Sequence, residues 1–119
     1  MAKENILLDK SLHFAGRIVK LYKYPIKTQR ESVISKQIVR SGISIGANIN
    51  EGNYGSSKAD FITKMQIAQK ETAETEYWIR LLRLPDYIDE NECESLLKDC
   101  LDIKNLLTAT LKTVKNNQN

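Results

Sequence analysis

The side chains best able to do chemistry are two glutamates three residues apart, Glu71 and Glu74, a single histidine, His13, and two cysteines, Cys93 and Cys100. Glutamates at i and i+3 share a helix face and can turn inward together. Di-metal helical bundles use one Glu from each of two helices and a Glu-x-x-His pair from each of the others. Here the residue three before His13 is Lys10, so that donor set is incomplete. The simpler expectation is that Glu71 or Glu74 meets a basic group such as Arg40, satisfying a polar layer between helices. His13 falls in a basic stripe and is expected to be exposed rather than to act as a base. The stretch Gly52-Asn53-Tyr54-Gly55-Ser56-Ser57-Lys58 has the composition of a phosphate loop without its spacing or a preceding strand. Cys93 and Cys100 are seven apart, about 10 Å along a helix axis, too far for a disulfide. With no Cys-x-x-Cys and one histidine, no zinc site is expected. Buried free thiols in a reducing cytoplasm fit best. No catalytic residue, cofactor or metal is expected, and the chain does not read as an enzyme.

The rest of the composition concerns the scaffold. A chain of 119 residues forms one domain able to bury about two thirds of its unfolded surface. Only 5 Gly and 2 Pro interrupt it and 28% of residues are charged, a composition suited to long amphipathic helices. No apolar run reaches the roughly 18 residues of a membrane span. Met1-Ala2-Lys3-Glu4-Asn5 carries an acid and precedes only three apolar residues, too few for a signal peptide. The net charge of +3 is uneven: residues 1–55 carry nine Lys/Arg against four Asp/Glu, and residues 85–119 carry four against seven. Such a split can steer a polyanion, order subunits head to tail, or serve solubility alone.

Four helices are expected. The first covers Asn5 to Tyr24, with Leu8, Leu12, Ala15, Val19 and Tyr22 at 4-3-4-3 spacing, widened by Phe14, Ile18 and Leu21, and ends at Pro25. The second covers Glu31 to Glu51, with Thr28 and Glu31 spaced as a capping box. Gly42 and Gly46 inside it each cost about 1 kcal/mol of helix propensity, so a close neighbouring helix is expected to offset them. Gly52 is placed at a left-handed helix end. Ser56 or Ser57 caps a third helix that ends at Leu84 before Pro85. Its line Phe61, Met65, Ala68, Thr72, Thr75, Ile79 and Leu82 has a period of about 3.5, the mark of shallow left-handed packing. The fourth begins near Asn91, capped by Asp89 or Asn91, with Cys93, Leu96, Cys100, Ile103, Leu107, Thr110 and Val114 as its seam and residues 116–119 frayed. Short loops between amphipathic helices give an all-α, antiparallel up-down-up-down four-helix bundle.

The second helix carries more apolar surface than one bundle can hide. Ile34, Ile38, Ile45 and Ile49 share one face, whereas Val39, Ile43, Gly46 and Ala47 fall roughly opposite. That second stripe, led by Val39, Ile43 and Ala47, is either central or meets another subunit. On the first helix Lys3, Lys10, His13, Arg17 and Lys20 form a basic line, extended by Lys23, Lys27, Arg30 and Lys36. Such a row can follow phosphates with salt-sensitive, sequence-independent binding, with Tyr22, Tyr24 and Tyr54 as stacking surfaces. It is also what any solvated helix face shows.

Arg40-Ser41-x-x-Ser44-Ile45-x-x-Asn48-Ile49-x-Glu51-Gly52, followed by Phe61 and then Ile67-Ala68-x-x-Glu71-x-x-Glu74, resembles the "four helix bundle protein" family. Its members include proteins encoded by intervening sequences in bacterial 23S rRNA genes, and a relative is the accessory variability determinant of diversity-generating retroelements. The likeness spans nearly the whole chain. Lys70 departs from it, standing where the family often has Gly. The resemblance implies a cytoplasmic, non-enzymatic bundle that assembles with itself, as a ring of five. For the retroelement relative it implies nucleic-acid binding through a basic surface. Arg40, Asn48, Glu51 and Glu71 are then expected to form a polar network that fixes helix and subunit register. Two functional expectations follow. In one, a basic rim of Lys10, Arg17, Lys20 and Lys36 binds RNA or DNA. In the other, the oligomer is a protein-interaction scaffold with a solvated rim.

Overall fold

The computed structural model describes residues 2–23 and 32–116, with side chains from Ile6 onward. Pro25, the Thr28–Glu31 cap, the side chain of Lys3, Tyr24, Lys27, Arg30 and residues 117–119 lie outside the described residues. Four helices run in chain order, α1 (Ala2–Leu21), α2 (Val33–Asn53), α3 (Lys58–Arg83) and α4 (Glu90–Asn116). They form a rod of 51 × 22 × 22 Å.

Local chemistry explains the helix ends. The Ser57 hydroxyl accepts the Asp60 N–H at 3.1 Å, and Asp60 places its carboxylate at the positive helix end. Asp89 caps α4 by accepting the Glu92 N–H at 2.7 Å. Between them, the Tyr87 N–H reaches the Leu82 carbonyl and the Asp86 N–H reaches that of Arg83, while Asp86 has φ 60°. This is a Schellman ending with Asp in the left-handed position usually held by Gly. Gly52 is not such a residue. No glycine among the described residues has positive φ, and α2 continues through Gly52 to Asn53. Gly52 is buried because Met65 lies over it; a Cβ there would meet Met65 Cε at 2.8 Å.

Each helix packs against its chain neighbours, and α4 closes back on α1. Ser11 lies over Gly46 and Ile18 over Gly42, Ser41 meets Thr75, Glu51 meets Lys64, Gln69 meets Thr108, and Arg17 meets Asp99. As one partner's number rises the other's falls for α1–α2 and α2–α3, and for α1–α4, where Lys10 lies beside Asp102. The short 84–89 connection, with Gln69 beside Thr108, turns α4 back along α3, so adjacent helices are antiparallel. The fold is the up-down-up-down bundle. The α3 seam is buried as expected from Met65 to Leu82, with Phe61 half-buried. The α4 seam is buried from Cys93 to Leu107 and then passes to Leu111, leaving Thr110 and Val114 half-buried.

On α1 the expected stripe is buried along its widening edge, Phe14, Ile18 and Leu21, and not along the line from Leu8 to Tyr22. Leu7, Ser11, Phe14, Ile18 and Leu21 face the core, also at 4-3-4-3 spacing. Leu8, Leu12, Ala15, Val19 and Tyr22 lie one flank further round, with Leu12 69% exposed and Val19 46%. The cause is Ser11. Its hydroxyl is satisfied by the Leu8 carbonyl at 2.8 Å, so it can be buried at no cost in lost hydrogen bonds. Its small size lets α1 approach Gly46, where a Cβ would stand 3.2 Å from Ser11 Oγ. The close neighbour that Gly42 and Gly46 called for is therefore α1.

Candidate functional site

The most concentrated polar cluster lies where α2 faces α3. Arg40 contacts Glu71 Oε2 at 3.2 Å and also bonds Glu74, one turn along α3. Its Nε donates to Gln37 at 3.3 Å, and Trp78 Nε1 donates to Glu74 at 2.9 Å. Beneath them, the buried Thr75 hydroxyl lies 2.7 Å from the Glu71 carbonyl and 2.8 Å from the Ser41 hydroxyl. The Trp78 indole N–H, together with the Arg40 guanidinium, holds the Glu74 carboxyl below its usual range against the opposing effect of burial. The bond to Glu74 in turn raises the Arg40 pKa. A carboxylate held ionised beside a permanent cation is poorly suited to take up and release protons near neutrality. Arg40 is half-exposed, so each pair contributes about 1 kcal/mol or less to stability. The cluster's larger effect is to fix the register of α2 against α3.

Of the four residues expected in one network, only Arg40 and Glu71 meet. Asn48 turns back on its own helix and donates to the Ser44 carbonyl at 2.9 Å and hydroxyl at 3.0 Å. Glu51 pairs with Lys64 at 2.9 Å. The expected meeting of Glu71 or Glu74 with Arg40 is found with both carboxylates, and Trp78 is the member of the cluster that the sequence does not single out. The signal for Trp78 was its i, i+4 spacing from Glu74 on α3.

The basic line on α1 also divides. Arg17 is turned to α4, 2.7 Å from Asp99 and 3.4 Å from Glu92. Lys10 and His13 border a cleft of about 270 Å³ whose other walls are Asp9, Asp99, Asp102 and Ile103. The charges that looked like one stripe are thus partly answered by carboxylates of α4. Lys10, Lys20 and Lys36 are exposed, and Lys20 and Lys36 have no ion pair among the described residues.

Nucleophiles are equally confined. Gly42-Ile43-Ser44-Ile45-Gly46 matches the letters Gly-x-Ser-x-Gly, yet it lies inside continuous helix rather than at a strand-to-helix turn. Ser44 bonds Asn48, and His13 is exposed beside the α1–α4 cleft, on another helix. Cys93 and Cys100 are buried free thiols, and burial pushes Cys100 up to about 12. Among the described residues no three His, Cys, Asp or Glu side chains converge as a metal set, and no helix is long and apolar enough to cross a membrane.

The outer stripe of α2 is open at Ile43 and Ala47, whereas Val39 packs against the core. Ile43 is 41% exposed, Ala47 is exposed and Val39 is half-buried. It borders the displaced α1 line, so Leu12, Val19 and Ile43 lie on one side of the rod.

These features define an antiparallel four-helix bundle with a self-satisfied polar clamp, buried thiols and an uncovered apolar side. The chain belongs to the 23S rRNA-intervening sequence protein family, whose model matches residues 3–109. It is similar to a crystal structure of a protein of unknown function from the S23 ribosomal protein family of Bacteroides thetaiotaomicron VPI-5482. The two are 52% identical with a TM-score of 0.90, over 92% of this chain and 98% of that one. No curated protein matches the chain.

Proposed function

We propose that this chain is a non-enzymatic bundle that assembles with copies of itself, as a ring of five in the cytoplasm, and binds RNA or DNA along a rim of lysines. The observation that carries the assembly is the uncovered apolar side formed by Leu12, Val19 and Ile43. One or two exposed apolar side chains are ordinary, but a continuous strip over two helices favours an interface. Val39 and Ala47 complete the contact on α2. Lys10, Lys20 and Lys36 are exposed cations that repetition around an assembly would multiply. Arg17 is excluded from the rim because Asp99 and Glu92 already neutralise it.

The scaffold reading, with a purely solvated rim, has one observation in its favour: α4 carboxylates line the cleft beside Lys10. Retention of a single-stranded RNA oligonucleotide at low salt separates the two. The proposal expects binding that falls linearly on a log–log salt plot and weakens in Lys20→Glu/Lys36→Glu. Absence of retention at low salt would reject nucleic-acid binding and leave the scaffold.

A further inference from the structure

Charge on the α3–α4 pair is divided by level along the rod. Residues 58–70 and 103–116, the first half of α3 and the second half of α4, carry six lysines against the single acid Asp60. Residues 71–102, at the other end of the same pair, carry ten Asp/Glu against three Lys/Arg. The two helices are antiparallel, so the lysine-rich halves lie side by side. A division of this size draws a polyanion to one end of the rod and repels it from the other.

The lysines of α4 are also aligned. Lys104, Thr108, Lys112 and Lys115 recur at 4-4-3 spacing, which puts them on one helix face. That face looks toward α3, because the Gln69 amide donates to the Thr108 hydroxyl at 3.5 Å. Counted in opposite directions from this pair, Ala73 stands across from Lys104, Gln66 from Lys112 and Ile62 from Lys115. None of the three is a carboxylate. All three lysines are exposed, and among the described residues none of them has an ion pair. The row from Lys104 to Lys115 spans about 16 Å of helix. Gln66, Asn105 and Thr108 are exposed beside it and add amide and hydroxyl donors.

Neither solvation nor the helix dipole accounts for this row. A merely solvated face carries both signs, as α4 does between Glu90 and Asp102. The dipole suits Lys115 in the last turn, but Lys104 stands about three turns before it. Lys10 on α1 faces the opposite situation, since Asp9, Asp99 and Asp102 share its cleft. The helices pack in a square with α1 beside α2 and α3 beside α4, so the lysine row lies away from the side of Leu12, Val19 and Ile43.

We infer that the groove between the first half of α3 and the second half of α4 is a second nucleic-acid surface, with Lys104, Lys112 and Lys115 following the phosphodiester backbone. This rests on the nucleic-acid reading above and adds a site on the other two helices. Contacts of this kind position the strand and carry no sequence information. The acidic half of the same helices limits the strand to one end of the rod.

Retention of a single-stranded RNA oligonucleotide, measured across a range of salt, tests it on three proteins: wild type, Lys20→Glu/Lys36→Glu, and Lys104→Gln/Lys112→Gln/Lys115→Gln. Gln matches Lys closely in helix propensity, so the triple variant should keep the helical circular dichroism and light-scattering mass of wild type. Its retention at low salt should fall about tenfold or more. Its log–log salt slope should become shallower by about 2, from three contacts at about 0.7 each. Single-stranded DNA of the same length should behave alike, because the contacts are to phosphate. A triple variant that retains RNA with the affinity and slope of wild type overturns the α3–α4 surface and leaves the rim of Lys20 and Lys36. Wild type that retains no RNA at low salt overturns the nucleic-acid reading itself. If that protein retains polyglutamate instead, the lysine row belongs to an acidic protein partner and the inference falls with the reading.

Discussion

Gly42→Ala is the sharpest probe of how α1 sits on α2. The new Cβ would lie 3.0 Å from Ile18 Cγ1, 3.1 Å from Cγ2 and 3.3 Å from Cβ. Ile18 is fully buried and β-branched, so no ordinary rotation removes all three atoms from the contact. Overpacking of this kind costs about 1–3 kcal/mol, whereas replacing a mid-helix Gly by Ala gains about 1 kcal/mol. The net expectation is a loss of about 1 kcal/mol. Removing the obstruction should reverse the sign. Ile18→Ala alone costs about 2–5 kcal/mol, but in its background Gly42→Ala should stabilise by about 1 kcal/mol. The coupling between the two sites is then about 2 kcal/mol. Urea unfolding followed by helical circular dichroism measures all four species, at concentrations where the midpoints do not depend on protein concentration. A Gly42→Ala chain more stable than wild type, with no coupling to Ile18, would refute the close approach of α1.

The remaining expectations concern charge and thiols. Because the Glu74 carboxyl is held below its usual value, its contribution to stability is complete above the ordinary carboxylate range and is lost as pH falls through the lowered value; Glu74→Gln should therefore lower the urea midpoint at neutral pH and flatten its decline below about pH 4. Cys100, with its thiol pushed up to about 12, should resist a thiol-reactive dye in the native protein and react only on unfolding. Arg17→Gln should leave RNA retention nearly unchanged while lowering stability by about 1 kcal/mol or less, in contrast to Lys20→Glu/Lys36→Glu. Equal losses of retention in both variants would return Arg17 to the rim.

Much of the fold was legible because α3 and α4 write their seams in unbroken 3.5-residue spacing. Thr72 and Thr75 belonged to the α3 seam by position alone, and their hydroxyls return to the Ala68 and Glu71 carbonyls. Helix α1 was harder because it carries two such lines. The outer one reads as more apolar than the inner one, which is broken by Ser11, so periodicity centres the stripe on the outer line and takes the inner one as its edge. Only the partner across the interface, Gly46, distinguishes them. The Arg40–Glu71 pairing was legible from charge and from the likeness to the family. Asn48 and Glu51 stand apart from the Arg40 cluster because Asn48 is satisfied by Ser44 on its own helix and Glu51 by Lys64 across the α2–α3 contact. Arg17 joined a basic stripe in one dimension because its acids, Asp99 and Glu92, are more than seventy residues away in sequence.

The central claim is that the side carrying Leu12, Val19 and Ile43 is covered by another copy. Light scattering on wild type and Ile43→Asp addresses it directly. The account expects wild type at five times the 13.6 kDa chain mass, and Ile43→Asp at lower mass with its helicity intact. Wild type at a single chain mass at every concentration, or an unchanged mass in Ile43→Asp, would contradict it.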